Sequence, residues 1–220
     1  MKKIFLTALL LVFSACAFAQ QSYVGRYDAF AGFTYLDTPR MNLMERGFIT
    51  QEGININRWL AFGVDFSVMD GHSDLKIGDL VPADRNAAHS LGFPDSFGVP
   101  YNSITYTYTA GPQINIRKFK KVTLFVHPDL GAIHEKVTAA PKTTLQTLVT
   151  NALVPGGSRP DTTYFYGVGG GLQYGLTKHF GLRFTADYVH LHLFSNLLAD
   201  SRNSFRFSIG PSFNFGKNVK

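Results

Sequence analysis

The segment SFRFSIGPSFNFG, residues 204–216, alternates between apolar and polar side chains almost without interruption. Because successive side chains of a strand point to opposite faces, it is predicted to be a strand with one apolar and one polar face. A strand of a soluble sandwich also alternates, but it rarely carries four phenylalanines on one face. The question is therefore whether this face meets a protein core or lipid. The apolar parity holds Phe205, Phe207, Ile209, Pro211, Phe213 and Phe215.

The same alternation recurs in seven segments upstream, which makes eight predicted strands. Residues 27–36 form a weaker example, because Phe30 falls on the polar parity. Residues 48–57 form another, because Glu52 is in phase with Ile54, so we expect a β-bulge or a register shift near Gly53. The regular segments are residues 60–68, 104–117, 122–130, 164–176 and 180–188.

The connections between these strands alternate in length. Short turns are predicted at residues 58–59, 118–121 and 177–179, whereas the longest connections are residues 70–102 and 138–161. Short turns at one end and long loops at the other are typical of bacterial outer-membrane barrels, with the short turns in the periplasm.

All eight strands carry an apolar parity, and no segment remains to build a second layer over it. The apolar faces are therefore expected to meet lipid, and the polar faces to fill the barrel interior. The predicted fold class is all-β: an eight-stranded antiparallel up-and-down transmembrane β-barrel with short periplasmic turns and long extracellular loops. Aromatic residues are expected to form two girdles at the membrane interfaces: Trp59, Phe119, Tyr174, Phe180 and Phe215 at the short-turn end, and Tyr35, Tyr101, Tyr164, Tyr188 and Phe205 at the long-loop end.

The first residues follow the order of a secretory signal peptide. Lys2 and Lys3 precede an apolar stretch over residues 4–13, and residues 17–19 (Ala-Phe-Ala) form a small-x-small cleavage site. We expect residues 1–19 to be cleaved and residues 20–220 to form the barrel domain, which predicts export to the outer membrane. The alternative is a lipoprotein, in which the single cysteine, Cys16, is the lipidation site.

Charge and cysteine content exclude several function classes. Without Lys2 and Lys3, 19 of the 21 basic residues remain against 15 acidic ones, a net charge of +4. These basic residues are scattered, so nucleic acid is not an expected partner. The single cysteine lies inside the predicted signal, so the mature chain offers no disulfide and no thiolate chemistry.

Residues 208–215, SIGPSFNF, resemble the C-terminal assembly signal of the small eight-stranded outer-membrane barrels of the OmpA-like and OmpX-like type. The resemblance covers essentially the whole mature chain. It implies that the barrel-assembly machinery recognises Ser208, Gly210, Phe213 and Phe215, although residues 216–220 follow the motif. The segments ADYVHLHLFSN and FRFSIG also resemble predicted outer-membrane barrel proteins of acidobacterial type.

The interior parity carries charged residues, which in so narrow a barrel must pair or bear a large desolvation penalty. One interpretation is an ion-paired plug that stiffens the barrel, and the alternative is a gated path for ions or small solutes. Gln113, His127 and Gln173 share this parity. The predicted lumen network consists of Asp28, Asp65, Arg117, Asp129, Arg183, Asp187 and Arg206.

No catalytic residue, metal site or cofactor is predicted. His190 and His192 share a strand face, and His72 and His89 lie among aspartates in the longest loop, but neither pair forms a tight ligand cluster. A lipid A deacylase would need His-x-Ser, whereas Phe194 stands two residues after His192 and the nearest serine is Ser195. The glycines of residues 167–171 are expected to make room inside the barrel.

The long loops are the remaining candidate surface. Residues 144–153 have apolar residues at helical spacing, which predicts a short amphipathic helix over the barrel mouth or against lipid. The sequence therefore favours an integral outer-membrane protein with a structural or surface-interaction role. The alternatives are a porin-like conduit for small solutes or hydrophobic compounds, and a lipid A-modifying enzyme. The expected partners are outer-membrane lipid and lipopolysaccharide, the barrel-assembly machinery and an extracellular ligand at the loops.

Overall fold

A computed structural model describes residues 21–199 and 202–219, so the predicted signal peptide lies outside the described residues. Eight strands account for most of these residues, and two helices, α1 (Pro82–Ser90) and α2 (Thr144–Leu153), lie in the long connections. The strands are β1 (Gly25–Thr38), β2 (Leu43–Asn55), β3 (Leu60–Lys76), β4 (Gly98–Ile116), β5 (Val122–Ala139), β6 (Ser158–Gly175), β7 (Phe180–Leu191) and β8 (Arg202–Asn218). Short 3-10 turns cover Pro39–Met41 and Ile77–Asp79.

The strands form one closed antiparallel barrel in sequence order, which confirms the predicted fold class. The barrel closes where β1 pairs with β8, from Gly25 opposite Asn218 to Asp37 opposite Phe205. In the described residues, none of the helices has the length and apolar character needed to cross a membrane. Closure leaves no sheet edge unpaired, as a bilayer requires.

The two parities of β8 point as the alternation predicts. The side chains of Phe205 and Phe213 are more than two-fifths exposed on the outside of the barrel, whereas Arg206 and Ser212 are almost completely buried inside it. The other strands follow the same rule in their membrane-facing parts. The exposed apolar band is the surface that an outer-membrane barrel presents to lipid.

The prediction of a β-bulge or a register shift near Gly53 is wrong. Gly53 pairs with Asp28 of β1 and Gly63 of β3 without a change of register, and Glu52 simply faces outward. The polar residue in an apolar parity is therefore a local exception rather than a register shift. The irregularity that the β1–β8 pairing shows lies at its end, between Gly25 and Tyr27.

The two longest connections are shorter than predicted, because the strands beside them run on beyond the apolar band. β3 continues to Lys76 and β4 begins at Gly98, so the connection is residues 77–97 rather than 70–102. In this outer part of β3 the polarity inverts: Asp70 and His72 face outward, while Met69 is buried inside. Outward-facing residues meet water in this part of the strand. An alternation with apolar residues on the outside therefore cannot be used to recognise it as a strand.

Tyr101 does not belong to the outer aromatic girdle. It lies on the inward parity of β4 and is buried, with 7% of its surface exposed. Tyr164 and Tyr188 of the same predicted girdle do face outward. The position of Tyr101 near the end of a strand predicted its depth along the barrel axis correctly. It did not predict that the side chain points inward, as those of Val99 and Ser103 on the same face of β4 do.

The long connections fold together into a compact outer head. Val81 donates its backbone N–H to the carbonyl of Leu197 at 2.9 Å, and Leu80 and Leu198 form an isolated β-bridge. Gln146 of α2 donates its side-chain amide to the carbonyl of Gly98 at 2.9 Å. These bonds tie together three connections that are distant in sequence. The predicted helix over residues 144–153 is confirmed, with Thr143 capping its N-terminus through a hydrogen bond from the Gln146 N–H at 3.2 Å.

Candidate functional site

The charged side chains of the barrel interior lie in three layers along its axis. The β7–β8 register sets their order, because Arg183 lies opposite Gly210, Asp187 opposite Arg206, and Leu191 opposite Arg202. Each layer is built around one arginine that is at least 97% buried. We call them the inner layer (Asp28, Gln51, Gln173, Arg183), the middle layer (Asp65, Asp129, Asp187, Arg206) and the outer layer (Glu45, Glu135, Arg202).

Arg183 fills the inner layer, which lies nearest the short turns. Its guanidinium pairs with Asp28 and donates hydrogen bonds to Gln51 at 2.7 Å and to Gln173. The central carbon of the guanidinium lies over the rings of Phe30 and Phe125, 5.6 Å and 5.3 Å from their centroids. Such cation–π contacts strengthen where water is excluded. Phe30, which breaks the outward aromatic parity of β1, is thus a packing partner of the buried arginine.

Arg117 lies below the inner layer, at the short-turn end. It donates to the backbone carbonyl of Arg58 at 2.6 Å and to the side chain of Asn55 at 2.8 Å. Both of these hydrogen bonds go to neutral acceptors. Its role as a member of a charge network stays a prediction.

Arg206 occupies the middle layer and contacts three carboxylates. It donates from Nε to Asp187 at 2.8 Å, and its terminal nitrogens lie 3.3 Å from oxygens of Asp65 and Asp129. Thr109 also donates to Asp65. His127, on the same face of β5 as Asp129, lies 3.5 Å from Asp129 and 3.5 Å from Asp187. The four predicted residues Asp65, Asp129, Asp187 and Arg206 are thus brought together.

The outer layer was missed by the sequence analysis. Arg202 pairs with Glu135 at 2.9 Å, and both are almost fully buried. Thr105 donates to Glu45 at 2.8 Å, and Ser103 donates to Glu135 at 3.0 Å. The inward parity of β2 and β5 would have identified the two glutamates as interior, had the strands been extended that far.

An apolar cavity of about 60 Å³ lies above the outer layer, at the extracellular mouth. One side is formed by Val149 and Leu153 of α2, which places the helix over the mouth. Glu135 and Arg202 form part of the wall on the barrel side. The remaining apolar lining is Met41, Leu75, Ile77, Leu80, Val99, Tyr101, Val137, Ala139, Val154, Phe194, Leu197 and Leu198.

The predicted assembly signal lies along the seam that closes the barrel. The Ser208 hydroxyl donates to that of Thr34 of β1 at 3.0 Å inside the lumen. Phe213 packs edge-on against Phe180 at 5.2 Å, and Phe215 lies 5.6 Å from Tyr27. β8 continues to Asn218, so part of the tail after Phe215 belongs to the strand. Recognition by the assembly machinery stays a prediction.

Two groups of interacting histidines lie on the outer surface. The rings of His190 and His192 meet edge-on at 4.7 Å on the outer rim. His89 of α1 lies 2.8 Å from Asp95, which also accepts hydrogen bonds from Arg85. The bonds from Arg85, followed by that from His89, lower the pKa of the Asp95 carboxyl. This exposed cluster closes the connection between β3 and β4.

Comparisons with known proteins agree with this geometry. The profile of the outer membrane protein beta-barrel domain matches residues 5–215. Ail of Yersinia pestis, solved in complex with the heparin analogue sucrose octasulfate, shares 18% identity at a TM-score of 0.51, over 87% of this chain and 99% of Ail. Neisserial surface protein A shares 14% identity at a TM-score of 0.54, over 86% of this chain and 96% of its own.

A third structure, OprG from Pseudomonas aeruginosa, shares 9% identity at a TM-score of 0.56, over 90% of this chain and 100% of OprG. A comparison with curated proteins gave no match. At such identities the solved structures establish the fold, and the profile establishes the family. The expected resemblance to small outer-membrane barrels is confirmed: the chain belongs to the outer membrane protein beta-barrel domain family, whose members are barrels of the bacterial outer membrane.

Proposed function

We propose that the protein is a closed, non-enzymatic barrel, exported by its signal peptide of residues 1–19, that acts through its outer head. The observation that carries this proposal is the sequence of three buried layers around Arg183, Arg206 and Arg202. Each arginine is held by carboxylates or amides from other strands, so opening a path would separate buried charges. Separating such a pair costs roughly 3–5 kcal/mol.

Cavities at the two ends of the barrel support a closed lumen. At the short-turn end a cavity of about 540 Å³ reaches Thr123 and Gln173. Gln173 accepts a hydrogen bond from Arg183 and belongs to the inner layer. At the other end the apolar cavity reaches Glu135 and Arg202 of the outer layer. All three layers lie between the two cavities, so a solute would have to pass every one of them.

A swelling assay tests whether the lumen is closed. Liposomes loaded with a large polysaccharide and carrying the purified protein are diluted into an isotonic small sugar. No swelling beyond that of protein-free liposomes is expected. Swelling at a rate that rises with protein content would contradict the closed barrel. The matched control is the Arg183→Ala/Phe125→Ala double variant, which opens the inner layer only and should also remain closed if the middle layer seals the lumen.

The outer head is the surface that we propose binds partners, including lipopolysaccharide and an extracellular ligand. Leu145 and Leu148 of α2 are 48% and 62% exposed, although the helix lies beyond the apolar band. The other face of α2 is fixed over the mouth, so these side chains are presented on a rigid element. Exposed apolar residues on a rigid element are a common feature of binding surfaces.

Site-specific photocrosslinking in intact cells tests the surface role. A photoreactive residue at Leu148 should give a discrete adduct with lipopolysaccharide or with an extracellular protein. The same residue at Lys178, in the β6–β7 turn, is the control and should not give that adduct. Absence of any adduct at Leu148, Leu145 and Leu91, all exposed on the head, would contradict the proposal.

A second candidate function is the binding of small apolar compounds in the cavity at the mouth. The cavity is smaller than the ~150 Å³ that holds a benzene ring, so a compound would have to displace Val149 or Leu153 of α2. Binding of a naphthylamine fluorophore should weaken in Val137→Phe, which fills the cavity. Val126→Phe, on the lipid side of the same strand, should bind the fluorophore like the wild type. Equal binding by both variants would exclude this site.

A further inference from the structure

Three potential metal ligands converge in the middle of the barrel. We propose that His127, Asp129 and Asp187 bind a divalent transition-metal ion of the Zn²⁺ class inside the lumen. One imidazole nitrogen and one oxygen from each carboxylate lie within 4.8 Å of one another. The side chains of Asp129 and Asp187 are 1% exposed and that of His127 is 10% exposed. The site is therefore an enclosed one and not a chance cluster of surface acids.

The register of three strands builds the site. His127 of β5 lies opposite Gly169 of β6, and Gly169 lies opposite Asp187 of β7. A methyl group on Gly169 would overlap the Asp187 Oδ1 atom and come within 2.7 Å of the His127 ring. The missing side chain on β6 thus allows residues of β5 and β7 to meet across it. Of the glycines in residues 167–171, Gly169 is therefore required because a side chain there would collide with Asp187 and His127.

Each of these three side chains carries a buried polar atom without a hydrogen-bond partner. Arg206 bonds Asp187 through Oδ2 and contacts Asp129 through Oδ1. The other oxygens, Asp187 Oδ1 and Asp129 Oδ2, and the Nε2 atom of His127 are buried without a hydrogen-bond partner. Buried polar atoms are nearly always satisfied, so three such atoms in one place call for a ligand.

The distances are close to those of a metal site. His127 Nε2 lies 3.5 Å from Asp187 Oδ1, which is long for a hydrogen bond, and the other imidazole nitrogen, Nδ1, lies 3.5 Å from Asp129 Oδ1. An ion bound at Nε2 therefore has Asp187 close by and requires the Asp129 carboxylate to turn toward it. Two ligands that lie 2.0–2.2 Å from one tetrahedral Zn²⁺ ion are roughly 3.3–3.6 Å apart. The three ligand atoms lie within 4.8 Å of one another, so a movement of at most roughly 1.3 Å, as rotation of one carboxylate supplies, brings them to ligand spacing.

The charges of the middle layer also favour a dication. Asp65, Asp129 and Asp187 share the single guanidinium of Arg206, which leaves a charge of −2 when His127 is neutral. A divalent ion brings the layer to neutrality, and buried charges are normally paired or bound to metal. The competing arrangement is a protonated His127 that pairs with the two aspartates and binds no metal.

The donor set indicates the class of ion. Imidazole suits Zn²⁺ and its neighbours, and carboxylates are accepted by Zn²⁺ as well. Three protein ligands leave one position of a tetrahedral ion for water. The ion would fix β5 to β7 across Gly169.

Zinc titration of the full chain, purified from outer membranes in detergent and stripped with chelator, tests the proposal. Calorimetry should show one Zn²⁺ per barrel, and His127→Asn or Asp187→Asn should weaken binding by roughly 100-fold or more. His134→Asn is the matched control, because His134 lies on the outward parity of the same strand. The His190→Asn/His192→Asn variant removes the ring pair on the rim and should leave the lumen site unchanged.

Zinc-edge X-ray absorption on the wild type gives a result that does not depend on the folding of any variant. One imidazole and otherwise oxygen ligands are expected. The proposal is overturned if the chain binds no zinc, if His127→Asn that runs as a folded barrel on gels retains full affinity, if binding is lost with His190 and His192, or if the spectrum shows two imidazoles.

Discussion

Arg206 of β8 and Asp187 of β7 are direct cross-strand neighbours, and their side chains are joined inside the barrel by a hydrogen bond of 2.8 Å. The same guanidinium also reaches Asp65 of β3 and Asp129 of β5. One side chain therefore links four strands around the circumference of the barrel. The lumen is closed at this height by a shared cation and not by bulk alone.

Removing this cation should destabilise the barrel strongly. Arg206→Met leaves three buried carboxylates without their partner, so the free energy of unfolding should fall by about 3–5 kcal/mol. Urea unfolding in lipid vesicles, followed by the mobility of the folded barrel on gels, measures the change. Arg46→Met, an exposed arginine on β2, is the control and should change the value by less than about 1 kcal/mol. Equal effects would mean that the middle layer is not a paired network.

The two faces of β1 allow a matched test of the aromatic contacts of Arg183. Phe30→Ala removes a ring buried against the guanidinium, and the cavity left behind should cost about 3–5 kcal/mol. Phe33→Ala removes a lipid-facing ring that also contacts Phe48 at 4.9 Å between centroids, and it leaves no buried cavity, so the loss should be smaller, about 1.5–3 kcal/mol. The same unfolding assay compares them. A larger loss for Phe33 would contradict the placement of Phe30 inside the barrel.

The closing seam depends on close approach between β8 and β1 at Gly210. A methyl group on Gly210 would come within 2.5 Å of the Gly32 Cα atom, so Gly210→Ala should destabilise the barrel by about 1–3 kcal/mol. At Gly53 the nearest atom would be 3.5 Å away, so Gly53→Ala should be neutral or stabilise by up to about 1 kcal/mol. The temperature at which each variant loses the gel mobility of the folded barrel ranks the two variants by stability. Tolerance of both substitutions would show that the seam is looser than described.

The connection between β3 and β4 should loosen only in acid. The hydrogen bonds from Arg85 lower the pKa of Asp95, so the folded connection gains stability above the ordinary pKa of 3.8, and this gain is lost as pH falls through the lower folded value. Proteolysis of residues 77–97 in the folded barrel should therefore be unchanged between pH 7 and pH 5 and should accelerate below about pH 3.8. Asp95→Asn should accelerate cleavage already at pH 7. A rise in cleavage between pH 7 and pH 5 would contradict the role given to Asp95.

The sequence was sufficient for the parts of the barrel that face lipid. The alternation around Phe205 and Phe213 is preserved because an apolar outer face is required wherever a strand crosses the membrane. Turns at residues 58–59, 118–121 and 177–179 followed from the same pattern. The pattern failed at Asp70 and His72, where the outer face meets water and the apolar residues turn inward.

The partners inside the lumen could not be predicted from alternation alone. Parity places Asp129 and Arg206 inside, but their contact joins residues that are 77 positions apart and depends on the register of several strands. The same limit hid Glu135 and Arg202, which lie in segments assigned to loops or strand ends. Register follows from packing and turn geometry, which single-strand periodicity does not contain.

Single-channel recording in a planar bilayer tests the closed barrel most directly. Insertion is confirmed separately, by protease protection of the membrane-embedded strands in the same vesicles that are fused with the bilayer. A silent trace is expected at moderate voltages, because Arg183, Arg206 and Arg202 hold the three layers closed. Steady conductance steps of uniform size, altered when Arg206 is replaced by Met, would show a path through the layers and would contradict it.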